Sequence, residues 1–137
     1  MLPKDMTIDE IREFFSKDRY AQTLSGVTII SGQNGHSLCE MEISADHLNA
    51  MGNVMGGAIF TLADHALAIA CNVGEPATVA VSNTIDFINP LKGSKLIAEC
   101  TTEKSGRSIG FYTVRVTDDT GTLIAIMKAT CSRKSDK

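Results

Sequence analysis

One stretch of the chain, residues 56–72, is apolar around almost its whole circumference when it is drawn as a helix. Its sequence, GGAIFTLADHALAIACN, holds five alanines, no proline, few β-branched residues and a single acid, Asp64. A helix that is hydrophobic on every side is stable when other elements enclose it. The stretch is also shorter than the roughly 20 residues of a membrane span. It therefore predicts a central helix over 56–72 that is buried inside the fold.

The chain after Pro76 has the pattern of an antiparallel sheet. Runs rich in β-branched and aromatic residues alternate with short turn sequences, among them Asn89-Pro90 and the segment 118–121. Neighbouring strands joined by turns of hairpin length run antiparallel. The predicted strands cover 78–88, 94–103, 109–117 and 122–132, and the segment 104–107 is predicted as a turn. The polar tail, SRKSDK, is predicted to be frayed.

The chain before the central helix adds one helix and one hairpin. Thr7 and Glu10 have the spacing of a capping box, and apolar residues follow at helical intervals, which predicts an amphipathic helix over 7–18. Two strand-like runs then flank Asn34-Gly35, a pair typical of tight hairpins. These runs cover 27–31 and 37–43. The element order predicts an α+β fold with an antiparallel sheet of about five to six strands around one long helix.

Length and composition limit the classes of protein. The 137 residues fit a single domain over 1–137. A net charge of −3 argues against a broadly basic nucleic-acid-binding protein. The first residues lack the apolar core of a signal peptide, and no apolar run is long enough for a membrane span, so we expect a cytoplasmic protein. The four cysteines match no zinc-ligand spacing, which predicts no metal, and three of them lie among apolar neighbours, which predicts reduced, buried thiols.

The start of the central helix carries the candidate chemistry. Gly56 and Gly57 open it, and the first amides of a helix lack intrahelical partners and lie at its positive end. Glycine allows a substrate to approach such amides closely, and they can stabilise an oxyanion. Asp64 lies two turns further on in an apolar helix, where an acid is costly unless it is satisfied or used. It can act as a general base or as a nucleophile.

The spacing of these two groups constrains the site. Gly57 and Asp64 share one helix face but lie about 10.5 Å apart along the axis, given a rise of about 1.5 Å per residue. One aspartate cannot reach a carbonyl held at the start of its own helix. If both groups serve one reaction, two chains must supply them. An antiparallel pairing of central helices in a two-fold dimer would do so.

The motif over residues 49–64, N-x-x-G-x-x-M-G-G-A-I-F-T-L-A-D, resembles the acyl-CoA thioesterases of the hotdog fold, PaaI subgroup. The likeness continues in TIDFINPLKG, in the KSGRS turn and in TGTLIAIMKAT. The resemblance implies a sheet wrapped around the central helix and active sites at the interface of a homodimer or homotetramer. It also implies hydrolysis of an acyl-CoA to free CoA and a carboxylic acid, with no cofactor beyond the CoA of the substrate.

The resemblance also implies roles for individual residues. The catalytic group is Asp64, Gly57 and Asn49, with the Gly57 amide at the oxyanion and Asn49 orienting the water or the carbonyl. A turn-forming role for Asn49 is the alternative. The other residues are expected to bind the substrate, its pantetheine arm or its phosphates. They are Met55, Gly56, Thr61, Asn83, Thr84, Ser105, Gly106 and Arg107.

One position departs from the pattern. The family carries histidine before the two glycines, and this chain has Met55. His47 and His65 lie nearby in the sequence, but neither occupies the motif position. Met55 keeps open a second hypothesis, a non-catalytic protein that binds or senses acyl-CoA. A hotdog dehydratase ranks last, since that chemistry usually relies on a histidine. Aryl and medium-chain acyl groups both remain open.

Overall fold

The computed structural model describes residues 1–134, and the predicted frayed end over 135–137 lies outside them. Arg133 continues the last strand, so the prediction of a frayed tail is wrong at that position, whereas Ser132 lies in the strand as the prediction over 122–132 has it. Within these described residues, two α-helices and six strands follow one another. They are α1 (Ile8–Phe15), β1 (Val27–Gln33), β2 (His36–Glu42), α2 (Gly56–Asn72), β3 (Thr78–Phe87), β4 (Lys95–Ser105), β5 (Ile109–Asp118) and β6 (Leu123–Arg133).

The strands form one antiparallel sheet in the order β1-β2-β4-β5-β6-β3. The helix α2 packs against one face of this sheet and contacts all six strands. β3 leaves the C-terminal end of α2 and pairs with β6, so it forms one edge of the sheet. The α+β prediction, with one long helix against an antiparallel sheet, is confirmed.

The central helix has the predicted bounds, but the prediction that it is buried on every side is wrong. Leu62, Ala66 and Ile69 are fully or almost fully buried in the core. Gly57 and Asp64, in contrast, are exposed, and they belong to a stripe that the sheet does not cover. A single sheet covers only one side of a helix, which leaves the opposite side open to another segment or another molecule.

The first helix is shorter than predicted. Thr7 and Glu10 form the expected capping box, but α1 ends at Phe15 instead of residue 18. The Ser16 amide closes the helix by donating to the carbonyls of Arg12 and Glu13. A separate π-helical turn, Tyr20–Leu24, follows and lies beside α2. No sequence pattern predicted this turn.

The predicted hairpin is confirmed. Gln33 pairs with His36 across Asn34-Gly35, and Gly35 has a φ of +79°, a conformation that favours glycine. The Gly35 amide donates to the carbonyl of Ala70 at 2.9 Å, which fixes the hairpin to α2. Strand ends differ from the prediction by a few residues. In particular, Lys104 and Ser105 belong to β4 and not to a turn.

Candidate active site

The uncovered stripe of α2 brings together three of the predicted site residues. Gly57, Thr61 and Asp64 follow one another at spacings of four and three residues, so they lie on the same face of the helix. The Thr61 hydroxyl donates to the carbonyl of Gly57 at 2.8 Å. This bond holds the Thr61 side chain along the helix and leaves the Asp64 carboxylate as the ionisable group of the stripe.

The first turn of α2 is open to solvent at Gly57. A Cβ atom placed on Gly57 would meet no heavy atom of the described chain within 4 Å, whereas one on Gly56 would lie 3.1 Å from the ring of Phe87. Met55 caps the helix through its backbone, because its carbonyl accepts from Ala58 and Ile59. The Gly56 and Gly57 amides precede these first helical bonds. They therefore have no acceptor within the helix.

The Asn49 side chain shapes the loop before α2. Its Oδ1 accepts from the amides of Met51 at 3.0 Å and Asn53 at 3.1 Å, and the Asn49 amide donates to the Asn53 carbonyl at 2.7 Å. These contacts agree with the turn-forming alternative. The Nδ2 amide is the end of the side chain that can donate to a water or a carbonyl. The catalytic role of Asn49 stays a prediction.

Asp64 lines a groove of about 520 Å³ between α2 and the segment that follows α1. Ala21, Phe60 and Ala68 contribute apolar surface to this groove. Asp64 is exposed on the helix but partly enclosed by the groove, and this partial burial raises the pKa of its carboxyl above the ordinary value; the negative charge of Asp18 raises it further. A carboxylate whose pKa is raised is a stronger base.

The two histidines near the motif have other partners. His47 accepts the Ser44 amide at Nδ1, 3.0 Å away, and donates from Nε2 to the Ser25 carbonyl at 2.7 Å. His65 is 3% exposed and contacts Asp18 and Gln22. Neither ring therefore takes the place of the histidine that the family carries at the position of Met55. The Met55 side chain is 56% exposed.

Asn83 and Thr84 lie on β3, opposite Ala129 and Lys128 of β6. Consecutive residues of a strand point to opposite faces of the sheet, so a shared role of these two residues in holding the pantetheine arm depends on their backbone groups, as the resemblance implies, and it stays a prediction. Asn83 Oδ1 is buried without a hydrogen-bond partner among residues 1–134. Because β3 is an edge strand, its outer backbone groups can pair with a ligand or with another strand.

The predicted phosphate-binding turn is fixed by a buried arginine. The Arg133 guanidinium donates to the Gly106 carbonyl at 2.5 Å and to the Ser105 hydroxyl at 2.9 Å, and its Nε lies 3.1 Å from Glu75. Within one chain, the turn does not meet the Asp64 groove: Ser105 lines a different depression together with Glu75. Arg107 is exposed, so its charge can reach a phosphate.

Several neighbours of the site were missing from the sequence analysis. Asp18, Arg19, Tyr20 and Ala21 line the same groove as Asp64. They lie more than forty residues before Asp64 in the chain, and no local pattern connects them to the motif.

Among residues 1–134, no three His, Cys, Asp or Glu side chains cluster in a way that could hold a metal ion. In the same part of the chain, no helix combines the length and apolar character needed to cross a bilayer.

This fold and this stripe of residues define a class of protein. The chain belongs to the thioesterase superfamily, whose family model matches residues 51–125. The matched range begins in the loop before α2 and includes Gly57 and Asp64. The hotdog thioesterase fold that the sequence motif implied is thereby confirmed.

Particular relatives are also similar over most of their length. The acyl-coenzyme A thioesterase PaaI of Escherichia coli K12 is 32% identical over 120 residues, which cover 87% of this chain and 85% of the relative. The human acyl-coenzyme A thioesterase 13 is 29% identical over 130 residues, with 91% and 93% covered. The solved structure of the E. coli PaaI protein from the phenylacetic acid degradation operon superimposes with a TM-score of 0.81, at 27% identity and 94% and 97% coverage.

Proposed function

We propose that this chain hydrolyses acyl-CoA thioesters to free CoA and a carboxylic acid. The observation that carries the proposal is the joint position of Gly57 and Asp64 on the uncovered face of α2. One supplies an amide at the positive end of a helix, and the other supplies a carboxylate in an otherwise apolar stretch. The relatives named acyl-CoA thioesterases align with this region.

Two mechanisms fit these groups. In the first, Asp64 takes a proton from a water as the water oxygen attacks the thioester carbon, and the Gly57 amide donates to the resulting oxyanion. The intermediate then collapses, the C–S bond breaks, and the CoA thiolate takes the proton from Asp64. In the second, Asp64 attacks the carbon itself, forms an anhydride and releases the thiolate before water hydrolyses the anhydride. Both end with the same products.

The site is proposed to form between two chains. Gly57 and Asp64 of one helix are too far apart to act on one carbonyl, so a partner must contribute one of them. β3 supports this proposal, because it is an edge strand and carries exposed apolar side chains at Val79, Val81 and Phe87. Long apolar edges of this kind are normally covered. We propose a homodimer related by a two-fold axis, with a homotetramer as a further step of assembly.

CoA itself is proposed to lie along the residues that the resemblance assigns to substrate binding. Gly56 and Met55 flank the helix start, and the exposed Arg107 offers a cation for a phosphate. Thr61 lines the groove beside Asp64. Four buried, reduced cysteines support the proposed cytoplasmic location.

Release of free thiol from a panel of acyl-CoAs tests the proposal. The panel should contain aryl and medium-chain acyl groups, so that the preferred substrate also identifies the acyl class. We expect Asp64→Ala and Asp64→Asn to lose about 10²-fold or more in turnover while remaining folded. Asp46→Asn, which changes an exposed acid outside the groove, is the matched control. Tight binding of acyl-CoA without any thiol release would instead indicate the non-catalytic protein.

A further inference from the structure

The segment after α1 contacts the active-site helix through His65. The His65 ring lies almost fully buried, with Nδ1 3.5 Å from Oδ2 of Asp18 and Nε2 3.0 Å from Nε2 of Gln22. The ring also meets Phe15 edge to face, with 6.0 Å between the ring centroids. Three contacts therefore hold a residue adjacent to Asp64 against the N-terminal part of the chain.

The partners of His65 determine its tautomer. The amide nitrogen of Gln22 donates, so His65 Nε2 must accept and the ring proton lies on Nδ1, facing Asp18. Burial lowers the pKa of His65, and the charge of Asp18 opposes this effect only in part. At neutral pH the ring is uncharged. It orients the Asp18 carboxylate without neutralising it.

Asp18 and Asp64 line the same groove. The titratable and charged groups that line the groove with Asp64 come from two elements: Asp18, Arg19 and Tyr20 from the segment before β1, and His65 from α2. Of these, Asp18 is a like charge, and a nearby like charge disfavours the ionised form of a carboxyl group. Its effect on Asp64 adds to that of burial.

We propose that Asp18 is a positioning residue for the hydrolysis: His65, itself held by Gln22, contacts the Asp18 carboxylate at the groove that Asp64 lines, and from there the negative charge of Asp18 acts on Asp64. The inference rests on the proposed function for its catalytic meaning. Asp18 need not touch the substrate. Its charge acts through Asp64, and the contact with His65 fixes the distance at which it acts.

The pH dependence of Asp18→Asn tests the inference. Removing the charge lowers the pKa of Asp64, so the acid limb of kcat/KM should move to lower pH than in the wild type. The plateau value of kcat/KM above the acid limb should fall by less than about tenfold, because a weaker base takes a proton from water more slowly. Asp18→Glu keeps the charge and should restore the wild-type limb. Asp9→Asn, which changes an exposed acid of α1 outside the groove, should leave the profile unchanged.

A titration that does not depend on activity separates this inference from the proposed function. The carboxyl carbon of Asp64 can be followed by NMR in the wild type and in Asp18→Asn, with Asp64→Asn used to assign the signal. A lower midpoint in Asp18→Asn supports the inference even if no acyl-CoA is hydrolysed. Identical midpoints and identical acid limbs in a folded, active variant would overturn it.

Discussion

At the start of the central helix, two adjacent glycines have different surroundings. Gly56 faces the ring of Phe87, and Gly57 faces open space. The packing of the described chain therefore explains why a side chain is disfavoured at Gly56 but gives no such reason at Gly57. Close approach of a substrate to the Gly57 amide is a reason for glycine at this position, because a methyl group there would stand between the helix and the thioester carbonyl.

Gly57→Ala tests this interpretation. We expect the variant to fold with unchanged or slightly higher stability, since alanine is the better helix former and its Cβ meets no neighbour in the chain. We expect thiol release to fall by at least about tenfold, because a displaced carbonyl loses its aligned donor. Thermal unfolding and the thiol assay, run on the same preparation, measure both effects. Wild-type turnover in Gly57→Ala would show that the substrate does not occupy this space.

At the level of single residues, the sequence pointed to Asp64 and not to Asp18. Asp64 is conspicuous because it is the one acid in an apolar helix, a signal contained within a short window. Asp18 lies among polar residues, and its relation to Asp64 comes from the way the segment after α1 folds back onto α2. Such a contact depends on tertiary packing, which local periodicity does not contain.

Among the elements, the two loops at one end of the sheet depend on Asp118 at the end of β5. This side chain is 2% exposed. Its Oδ2 accepts from the amides of Lys92 and Gly93, and its Oδ1 accepts from Thr120 and Thr122. One carboxylate thus joins the β3–β4 connection to the β5–β6 turn. Burial raises its pKa, but the hydrogen bonds from Thr120, Lys92 and Gly93 outweigh burial and hold it well below its ordinary value.

Asp118→Asn should lower the midpoint of thermal unfolding at neutral pH, because an amide cannot accept at both ends and leaves buried donors unpaired. A depressed pKa means that the stabilisation by Asp118 is fully present above the ordinary aspartate value of about 3.9 and is lost as the pH falls through the folded-state value. The difference in unfolding midpoint between the wild type and Asp118→Asn should therefore narrow below about pH 4. Asp46→Asn, which changes an exposed acid, should have the same unfolding midpoint as the wild type at every pH. A difference that is constant with pH would contradict this linkage.

The elements were predictable to different degrees. The bounds of α2 follow from a proline-free, largely apolar stretch between Met55 and Val73, and the hairpin follows from Asn34-Gly35. The end of α1 was not predictable from periodicity, because Ser16 and its neighbours can continue a helix or end one. The structure ends it at Phe15, where Ser16 closes the last turn, and a separate turn then places Asp18 beside α2.

For the whole molecule, two uncovered surfaces of the single chain bear on its assembly. One is the edge strand β3, and the other is the stripe of α2 with Gly57 and Asp64. The sequence predicted the strands but not their order, since the pairing of β3 with β6 joins segments about fifty residues apart at its centre. That pairing places β3 at an edge of the sheet. In the proposed dimer, a second chain extends the sheet at this edge and brings its own α2 toward the α2 of the first chain.

Mixing two inactive variants tests whether one active site contains residues of two chains. Consider a mixed dimer of one Asp64→Asn chain and one Gly57→Ala chain. If each active site is shared between the chains, one of the two active sites contains both substituted residues and the other active site contains neither. Random exchange should then restore about a quarter of wild-type turnover, since half of the dimers are mixed and each retains one of two sites. If each site is built within one chain, every site in the mixture carries a substitution, and turnover stays at the level of the separate variants. The exchange can be followed by size-exclusion chromatography of differently tagged chains, with thiol release measured on the same fractions.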